Sequence, residues 1–169
     1  FQNSIEFWKG YLEQLCRKLP EKKDLIDFTK PGGFMFEKIE WKASYNLNVA
    51  TIDSQHQQLV VIANELYDLA NGDKDVYQRG IAAALKKLVD YTDYHLKFEE
   101  DFLRSKGYPQ IDFHKMQHDQ FISQINAQVK KLTDPHQQDG LVLYEYLLKW
   151  LLNHIAKSDK AWSLHVLSK

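Results

Sequence analysis

The stretch HLKFEEDFLRSKGYPQIDFHKMQH, residues 95–118, decides the fold. It contains two pairs of metal-ligating residue types spaced four apart, His95 with Glu99 and His114 with His118. Residues four apart lie on the same face of an α-helix, separated by about 6 Å of rise. The Gly-Tyr-Pro sequence at 107–109 breaks the helical pattern between the pairs. The stretch therefore predicts two helices joined by a short turn, each with a ligand pair on one face.

Ligand residue types recur outside this stretch, on two further segments that look helical. His56 precedes the stretch, and His154 with Asp159 follows it. Five neutral imidazoles and two carboxylates without a thiolate suit iron, manganese or zinc rather than a soft-metal or iron–sulfur site. A lone histidine on an apolar face is usually a packed core residue, but ligand pairs on adjacent helices are harder to explain that way. We therefore predict one buried metal site formed by His56, His95, Glu99, His114, His118, His154 and Asp159.

The last two ligands make a prediction about the helix that carries them. His154 and Asp159 are five residues apart, which in an unbroken α-helix turns them about 140° away from each other. If both are ligands, the helix must loosen or end near Ser158.

Other polar residues near the ligands are given no role in the site. Glu100 directly follows a ligand and is rotated from it by about 100°, so we expect it to face outward. Gln55 and Gln117 each precede a ligand and need no functional role. His136 and His165 fit no ligand spacing, so we expect them to be solvent-exposed or structural.

The helical pattern predicts an all-α fold, an antiparallel four-helix bundle, because long helices with short connections pack in this way. Residues 34–51 lack helical periodicity and predict an extended arm ahead of the bundle. Asp53 and Ser54 are good N-cap residues for the first helix. The four helices are expected at about 54–71, 75–105, 111–132 and 137–157.

The first 33 residues predict an extra N-terminal helical segment. Apolar residues recur at spacings of three and four between Ile5 and Leu19, which forms one apolar stripe. The Pro-Gly-Gly sequence at 31–33 is a clear break, so we place a domain boundary there. The chain then divides into an extension or linker at 1–33 and a bundle domain at 34–169. The stripe either packs against the bundle or connects it to another part of a longer protein.

Composition excludes several classes of partner. The chain has 169 residues, 44% hydrophobic and 27% charged, with a formal net charge of -1 and no lysine or arginine run. Nothing in this charge pattern suggests nucleic acid or an anionic membrane as a partner. The apolar runs are far shorter than the roughly 20 residues of a membrane-spanning helix. The single cysteine, Cys16, allows no internal disulfide, so we expect a reducing compartment, the cytoplasm.

Four short motifs carry the ligands. They are Ile52-Asp53-Ser54-Gln55-His56; His95-Leu96-Lys97-Phe98-Glu99-Glu100; Tyr108-Pro109 with His114-Lys115-Met116-Gln117-His118-Asp119; and Trp150-Leu151-Leu152-Asn153-His154-Ile155 with Asp159-Lys160. In order, they resemble the four helix signatures of hemerythrins and bacterial hemerythrin-like domains. Leu96 stands where a phenylalanine is common, and Trp41 ahead of the first helix also fits. The resemblance covers about 34–169.

The resemblance implies two iron ions joined by an oxo or hydroxo bridge. One iron would be held by His114, His118 and His154, and the other by His56 and His95. Glu99 and Asp159 would bridge the two irons. This arrangement leaves one open position on the iron with two histidines, where O2 binds in the family. The expected lining of that position is Leu59, Leu96, Trp150 and Leu151.

The resemblance leaves several functions open. Reversible O2 binding is the leading one, used either to carry or store oxygen or to sense it. The N-terminal extension favours an oxygen- or redox-sensing domain of a larger bacterial signalling protein, with an output domain in the same chain. A di-iron oxidase or peroxidase is an alternative, although the apolar lining argues against an enzyme. A purely structural or iron-buffering centre is a third, against which the open position argues.

Overall fold

The computed structural model of the chain describes residues 37–129 and 136–168. Within these ranges every regular element is helical, and no strand occurs. A single 3-10 turn, Ala43–Tyr45, precedes the long helices. The helices are α1 (Ala50–Asn71), α2 (Lys74–Ser105), α3 (Ile111–Val129), α4 (Gln137–His154), a π-helical turn (Ile155–Asp159) and α5 (Lys160–Leu167). Because α4, the π-helical turn and α5 run on without a break, they form the fourth helix of the predicted antiparallel bundle, which is confirmed.

The connection from α2 to α3 reverses the chain in a Schellman turn. Gly107 has a φ of 62°, a left-handed conformation that glycine adopts without steric cost. The Tyr108 N–H donates to the Leu103 carbonyl at 3.1 Å, and the Gly107 N–H donates to the Arg104 carbonyl at 3.0 Å. These bonds satisfy carbonyls at the end of α2. They allow α3 to begin at once on the other side of the turn, with its histidines facing α2.

The start of α1 differs from the prediction. The helix begins at Ala50, and its N-cap position is Val49, which makes no side-chain capping bond. Asp53 is therefore inside the first turn, where a carboxylate is favourable near the positive end of the helix dipole. Its Oδ1 accepts a hydrogen bond from the Leu47 N–H at 2.7 Å. Asp53 and Ser54 were wrongly predicted as caps, because Asp53 instead ties the preceding backbone to the helix.

Residues 37–49 form the extended arm, apart from the single 3-10 turn. The Ile39 N–H donates to Asn64 Oδ1 at 3.2 Å, and the Asn64 amide donates back to the Ile39 carbonyl at 2.9 Å. The Tyr144 hydroxyl accepts from the Ile39 N–H at 3.1 Å and lies 3.0 Å from the Glu37 carbonyl oxygen. Burial among these groups raises the pKa of Tyr144 to about 12. The arm is thereby fixed across α1 and α4.

The helices pack α1 against both α2 and α4, and α2 against α3. Two apolar clusters fill the interior. Along α2, His95 and Glu99 fall between residues of the first cluster and Leu103 of the second, whereas His56, His154 and Asp159 lie among residues of the second cluster. The first contains Ile62, Ala63, Leu66, Ala70, Tyr77, Ile81, Leu85, Leu88, Leu96, Phe121, Ile125, Leu143, Tyr144 and Leu147. The second contains Leu47, Ile52, Leu59, Val60, Leu103, Tyr108, Leu151, Ile155 and Trp162. The buried histidines and carboxylates thus form a polar layer within this hydrocarbon.

Two predictions fall outside the described residues. They are the N-terminal helical segment with its boundary at 31–33, and the last residues of the helix expected at 111–132. Among the helices that the structure describes, none has the length and apolar content needed to cross a membrane.

Candidate metal centre

The structure brings the seven sequence-predicted residues together in the buried polar layer. The most exposed of them, His154, has 6% of its surface accessible, and three of the seven have none. Two overlapping groups have ligand atoms within 4.8 Å of one another. We name the histidines of these groups the three-histidine group, which is His114, His118 and His154, and the two-histidine group, which is His56 and His95. Glu99 belongs to both groups.

The three-histidine group faces both carboxylates through its Nε2 atoms. The Nε2 atoms of His114 and His118 lie 3.7 and 3.6 Å from Glu99 Oε2. The Nε2 atoms of His114 and His154 lie 3.6 and 3.1 Å from Asp159 Oδ1. Three imidazole nitrogens and two carboxylate oxygens therefore point into one small volume.

The two-histidine group faces the same carboxylates from the other side. The Nε2 atom of His95 lies 3.8 Å from Glu99 Oε2, and that of His56 lies 3.4 Å from Asp159 Oδ2. Asp159 therefore presents Oδ1 to one group and Oδ2 to the other. A carboxylate in this position can link two cations.

The π-helical turn places Asp159 in the layer. In a π-helix the backbone bond spans five residues, and the Lys160 N–H bonds accordingly to the Ile155 carbonyl. Residues five apart then lie on one face, so His154 and Asp159 both point inward. The Ser158 hydroxyl donates to Gln117 Oε1 at 2.8 Å, which fixes the turn against α3. The predicted loosening near Ser158 is confirmed, and the helix continues beyond it.

Several atoms that face the centre have no hydrogen-bond partner in the described part of the chain. They are His56 Nε2, Glu99 Oε2, His114 Nε2 and Asp159 Oδ2. Unpaired buried polar atoms are costly and uncommon in folded proteins. Neutral imidazole nitrogens and carboxylate oxygens are the donors that iron, manganese or zinc would take. The residues present therefore fit cations bound between the two groups.

Burial keeps the imidazoles in the neutral form that binds metal. It lowers the pKa of His56 and of His114, lowers that of His95 well below its ordinary value, and lowers the pKa of His118 to about 2. Positive charge on one imidazole also disfavours charge on its neighbours.

The two carboxylates shift in opposite directions. Burial, together with the charge of Asp159, raises the pKa of Glu99 well above its ordinary value. Burial alone would also raise the pKa of Asp159, but its attraction to His154, with smaller contributions from His56 and His114, outweighs burial and lowers that pKa. Without cations, the layer therefore favours a proton on Glu99 and a charge on Asp159.

Two residues that were given no role form hydrogen bonds to the histidines from behind. Gln55 Oε1 lies 2.9 Å from His95 Nδ1, and Glu100 Oε1 lies 3.1 Å from His118 Nδ1. The prediction that Glu100 faces outward is wrong, because a rotation of about 100° on α2 points it into the contact with α3 rather than into solvent. Its side chain is only 11% exposed. The sequence signal that could have identified both supporting residues is that each directly adjoins a ligand, in Glu99-Glu100 and Gln55-His56.

Trp162 was also missed. Its indole N–H lies 2.7 Å from Glu99 Oε1 and 3.3 Å from Asp159 Oδ1, and the side chain is fully buried. Trp162 is three residues beyond Asp159, and the fourth helix was expected to end at about 157. Extending the apolar pattern of the fourth helix past the π-helical turn would have included Trp162.

An apolar cavity of about 20 Å³ lies among the helices. Its lining includes the four residues predicted beside the open position, Leu59, Leu96, Trp150 and Leu151. The remaining lining residues are Ala63, Leu88, Thr92, Phe121, Leu147 and Leu148. Among them only Thr92 is polar, so the cavity offers a small ligand almost no hydrogen-bonding partners.

Aromatic rings cover two of the histidines in the layer. The two histidines that were not predicted as ligands lie elsewhere. Trp150 stacks on His154, with ring centroids 4.4 Å apart and planes at 12°. Trp41 of the arm stacks on His56 at 6.3 Å and 30°. His136 is exposed at the start of α4. His165 packs against Tyr108 at 5.5 Å.

A helical bundle whose four helices each bring histidines or carboxylates to one buried layer is a metal-binding bundle. The comparisons with known proteins identify which kind. Residues 47–163 match the family described as the hemerythrin HHE cation-binding domain. The chain belongs to the hemerythrin family.

Relatives of known name and structure agree with this assignment. The bacteriohemerythrin of Clostridium acetobutylicum is 31% identical over 126 residues, which cover 72% of this chain and 96% of that protein. A hemerythrin-like protein of Naegleria gruberi is 31% identical over 119 residues, 70% of this chain and 86% of that protein. The crystal structure of a wild-type hemerythrin is similar with a TM-score of 0.65 at 29% identity, covering 74% of this chain and 95% of that one.

Proposed function

We propose that this chain binds O2 reversibly at a centre of two iron ions joined by an oxo or hydroxo bridge. His114, His118 and His154 would hold one iron, and His56 and His95 the other. Glu99 and Asp159 would bridge them. The observation that carries the proposal is the buried layer of five Nε2 atoms and two carboxylates, together with an apolar cavity whose lining includes Leu96, next in sequence to His95, and Trp150, which stacks on His154. When bound, the iron pair supplies an exchangeable position for O2 and the redox chemistry that makes its binding reversible.

The side chains of the protein keep the imidazoles neutral, orient a carboxylate and surround the cavity with hydrocarbon. The lowered pKa values of His56, His95, His114 and His118 keep these imidazoles able to bind a cation at neutral pH. The Trp162 N–H fixes the outer oxygen of Glu99, which leaves Oε2 directed at the histidines. The hydrocarbon lining of the cavity offers water and anions almost no hydrogen-bonding partners, which would limit the irreversible oxidation of ferrous iron that they promote.

The first experiment is metal analysis with absorption spectroscopy. We expect about two irons per chain and a visible charge-transfer band that appears when O2 is admitted to the reduced protein and fades when O2 is removed. Two irons without a reversible band would reject reversible O2 binding and favour an oxidase or a redox sensor. A single metal, or zinc, would reject the di-iron centre.

The same proposal includes that the domain binds O2 without turning over a substrate. The lining of the cavity contains no carboxylate, imidazole or amine that could serve a substrate as acid or base. We therefore expect the iron-loaded protein to consume peroxide or nitric oxide no faster than an equal amount of free iron. Rates far above that level would make it an enzyme.

We further propose that the domain senses oxygen or redox state for an output domain of a larger cytoplasmic protein. The region that matches the family begins at residue 47, and the spacing of apolar residues between Ile5 and Leu19 predicts an apolar stripe that could contact another domain. Hydrogen exchange of residues 1–36 in the deoxy and oxy forms tests this. We expect their protection to differ between the two forms. Equal protection would favour a carrier or storage protein.

A further inference from the structure

The two histidine groups differ in the side chains that support them from behind. In the three-histidine group, His118 Nδ1 faces a carboxylate, Glu100, at 3.1 Å. In the two-histidine group, His95 Nδ1 faces a neutral amide, Gln55, at 2.9 Å. The second histidine of that group, His56, has no hydrogen-bond partner on Nδ1 within the described ranges. One group therefore has charged support, and the other has only neutral support.

Glu100 is fixed in its supporting position. Its Oε2 lies 3.3 Å from an Arg104 nitrogen and 4.0 Å from Lys115 Nζ, so cations from α2 and α3 both hold the oxygen that faces away from His118. Arg104 also pairs with Asp101 Oδ1 at 3.0 Å. Asp101, with its side chain 65% exposed, shares this arginine but contacts no histidine, which makes it a matched control.

Both acceptors impose the same tautomer on their histidine. An Nδ1–H that donates to oxygen leaves the Nε2 lone pair free to bind a cation in the layer. A carboxylate acceptor does more, because hydrogen bonds to a charged oxygen are stronger than those to an amide and make the imidazole a better donor to metal. Loss of such a partner typically lowers metal affinity about 10–100-fold.

We propose that Glu100 and Gln55 are positioning residues that make the two cation sites unequal, so that the three-histidine group binds its cation more tightly than the two-histidine group. This inference rests on the proposed two-metal centre. It implies that the three-histidine group fills first and loses its cation last to a chelator. The more weakly held cation is then the one with the open position.

The test is a titration of the metal-free protein with Co2+, followed by visible absorption and by the shifted ring-proton resonances of the histidines. Neither readout depends on O2. In the wild type we expect two steps, with the resonances of His114, His118 and His154 affected first. Glu100→Gln should weaken the first step about 10–100-fold and leave the second within about threefold. Gln55→Glu should strengthen the second step, and Asp101→Asn should change neither.

A purely structural role for Glu100 would weaken both steps together, and that result would overturn the inference. Unchanged constants in Glu100→Gln would overturn it too, as would equal affinities in the wild type. If Glu100→Gln does not fold, Gln55→Glu tests the inference instead. An unchanged affinity in its second step would show that a charged acceptor behind His95 does not strengthen cation binding. If any of these results is obtained while the wild type still binds two irons and binds O2 reversibly, the proposed function stands and only this inference fails. A wild type that takes up only one cation removes both.

Discussion

Removal of the metal should bring this domain close to unfolding. Four atoms that face the centre, His56 Nε2, Glu99 Oε2, His114 Nε2 and Asp159 Oδ2, have no hydrogen-bond partner among the described residues. A buried polar atom without a partner costs about 1–3 kcal/mol, so these four cost about 4–12 kcal/mol together. The free energy of unfolding of a whole domain is only about 5–15 kcal/mol. The metal-free protein should therefore melt far below the iron-loaded protein.

The loss should deepen as the pH falls. Four histidines have a folded-state pKa below the ordinary 6.5, so the stability from keeping them neutral is present above about pH 6.5 and is lost below it. Glu99 acts in the opposite direction, because its raised pKa lets the folded state hold a proton that the unfolded state releases. The four histidines outweigh the one carboxyl, so the free energy of unfolding of the metal-free form should fall as the pH drops below 6.5, by about 1.4 kcal/mol per pH unit for each net proton that only the unfolded state binds.

The assay is calorimetric and denaturant unfolding of the metal-free and loaded forms at pH 7.5 and 6.0. The sharpest variant is His56→Leu, which replaces two unpartnered nitrogens with hydrocarbon in a fully buried position. It should raise the free energy of unfolding of the metal-free form by about 2–6 kcal/mol, at about 1–3 kcal/mol for each nitrogen, and lower that of the loaded form. His136→Ala, at an exposed site, should change neither. A metal-free wild type that melts at the temperature of the loaded form would refute the reasoning.

Three further results are expected. Glu99→Ala should abolish binding of both irons as a unit, whereas His136→Ala should retain about two irons per chain. Metal analysis measures both, and equal losses would show that His136 was wrongly excluded from the ligands. Trp162→Phe removes the N–H that both carboxylates face, so it should lower metal affinity about 10–100-fold in a chelator competition, and unchanged affinity would deny the indole a role. Leu96→Ala enlarges the cavity, so it should cost about 2–5 kcal/mol of unfolding free energy and speed oxidation of the oxygenated form; slower oxidation would contradict the proposed exclusion of water.

The ligand layer could be predicted from sequence because helical geometry converts spacing directly into direction. His95 and Glu99, four residues apart, necessarily share a face once α2 forms. The same rule predicted the distortion between His154 and Asp159, since no regular α-helix brings residues five apart to one side. In both cases a purely local rule was sufficient.

The supporting residues could not be predicted because they depend on which helix lies beside which. The outward direction expected of Glu100 came from its own helix alone, and its contact with His118 exists only because α3 packs there. Trp162 was hidden by the π-helical turn, which shifts the register of every later residue and makes a regular 3.6-residue pattern fail at about 157. The start of α1 was misplaced because Asp53 has the chemistry of a cap but bonds to the arm.

The tryptophans give the centre an optical consequence. Three of the four in the chain surround it: Trp41 over His56, Trp150 over His154, and Trp162 beside both carboxylates. The fourth, Trp8, lies outside the described residues. Excited indoles transfer energy readily to a nearby absorbing iron complex, so nearly all of the intrinsic emission of the domain originates within reach of one quencher. The tryptophan fluorescence of the domain should therefore fall as iron fills the centre.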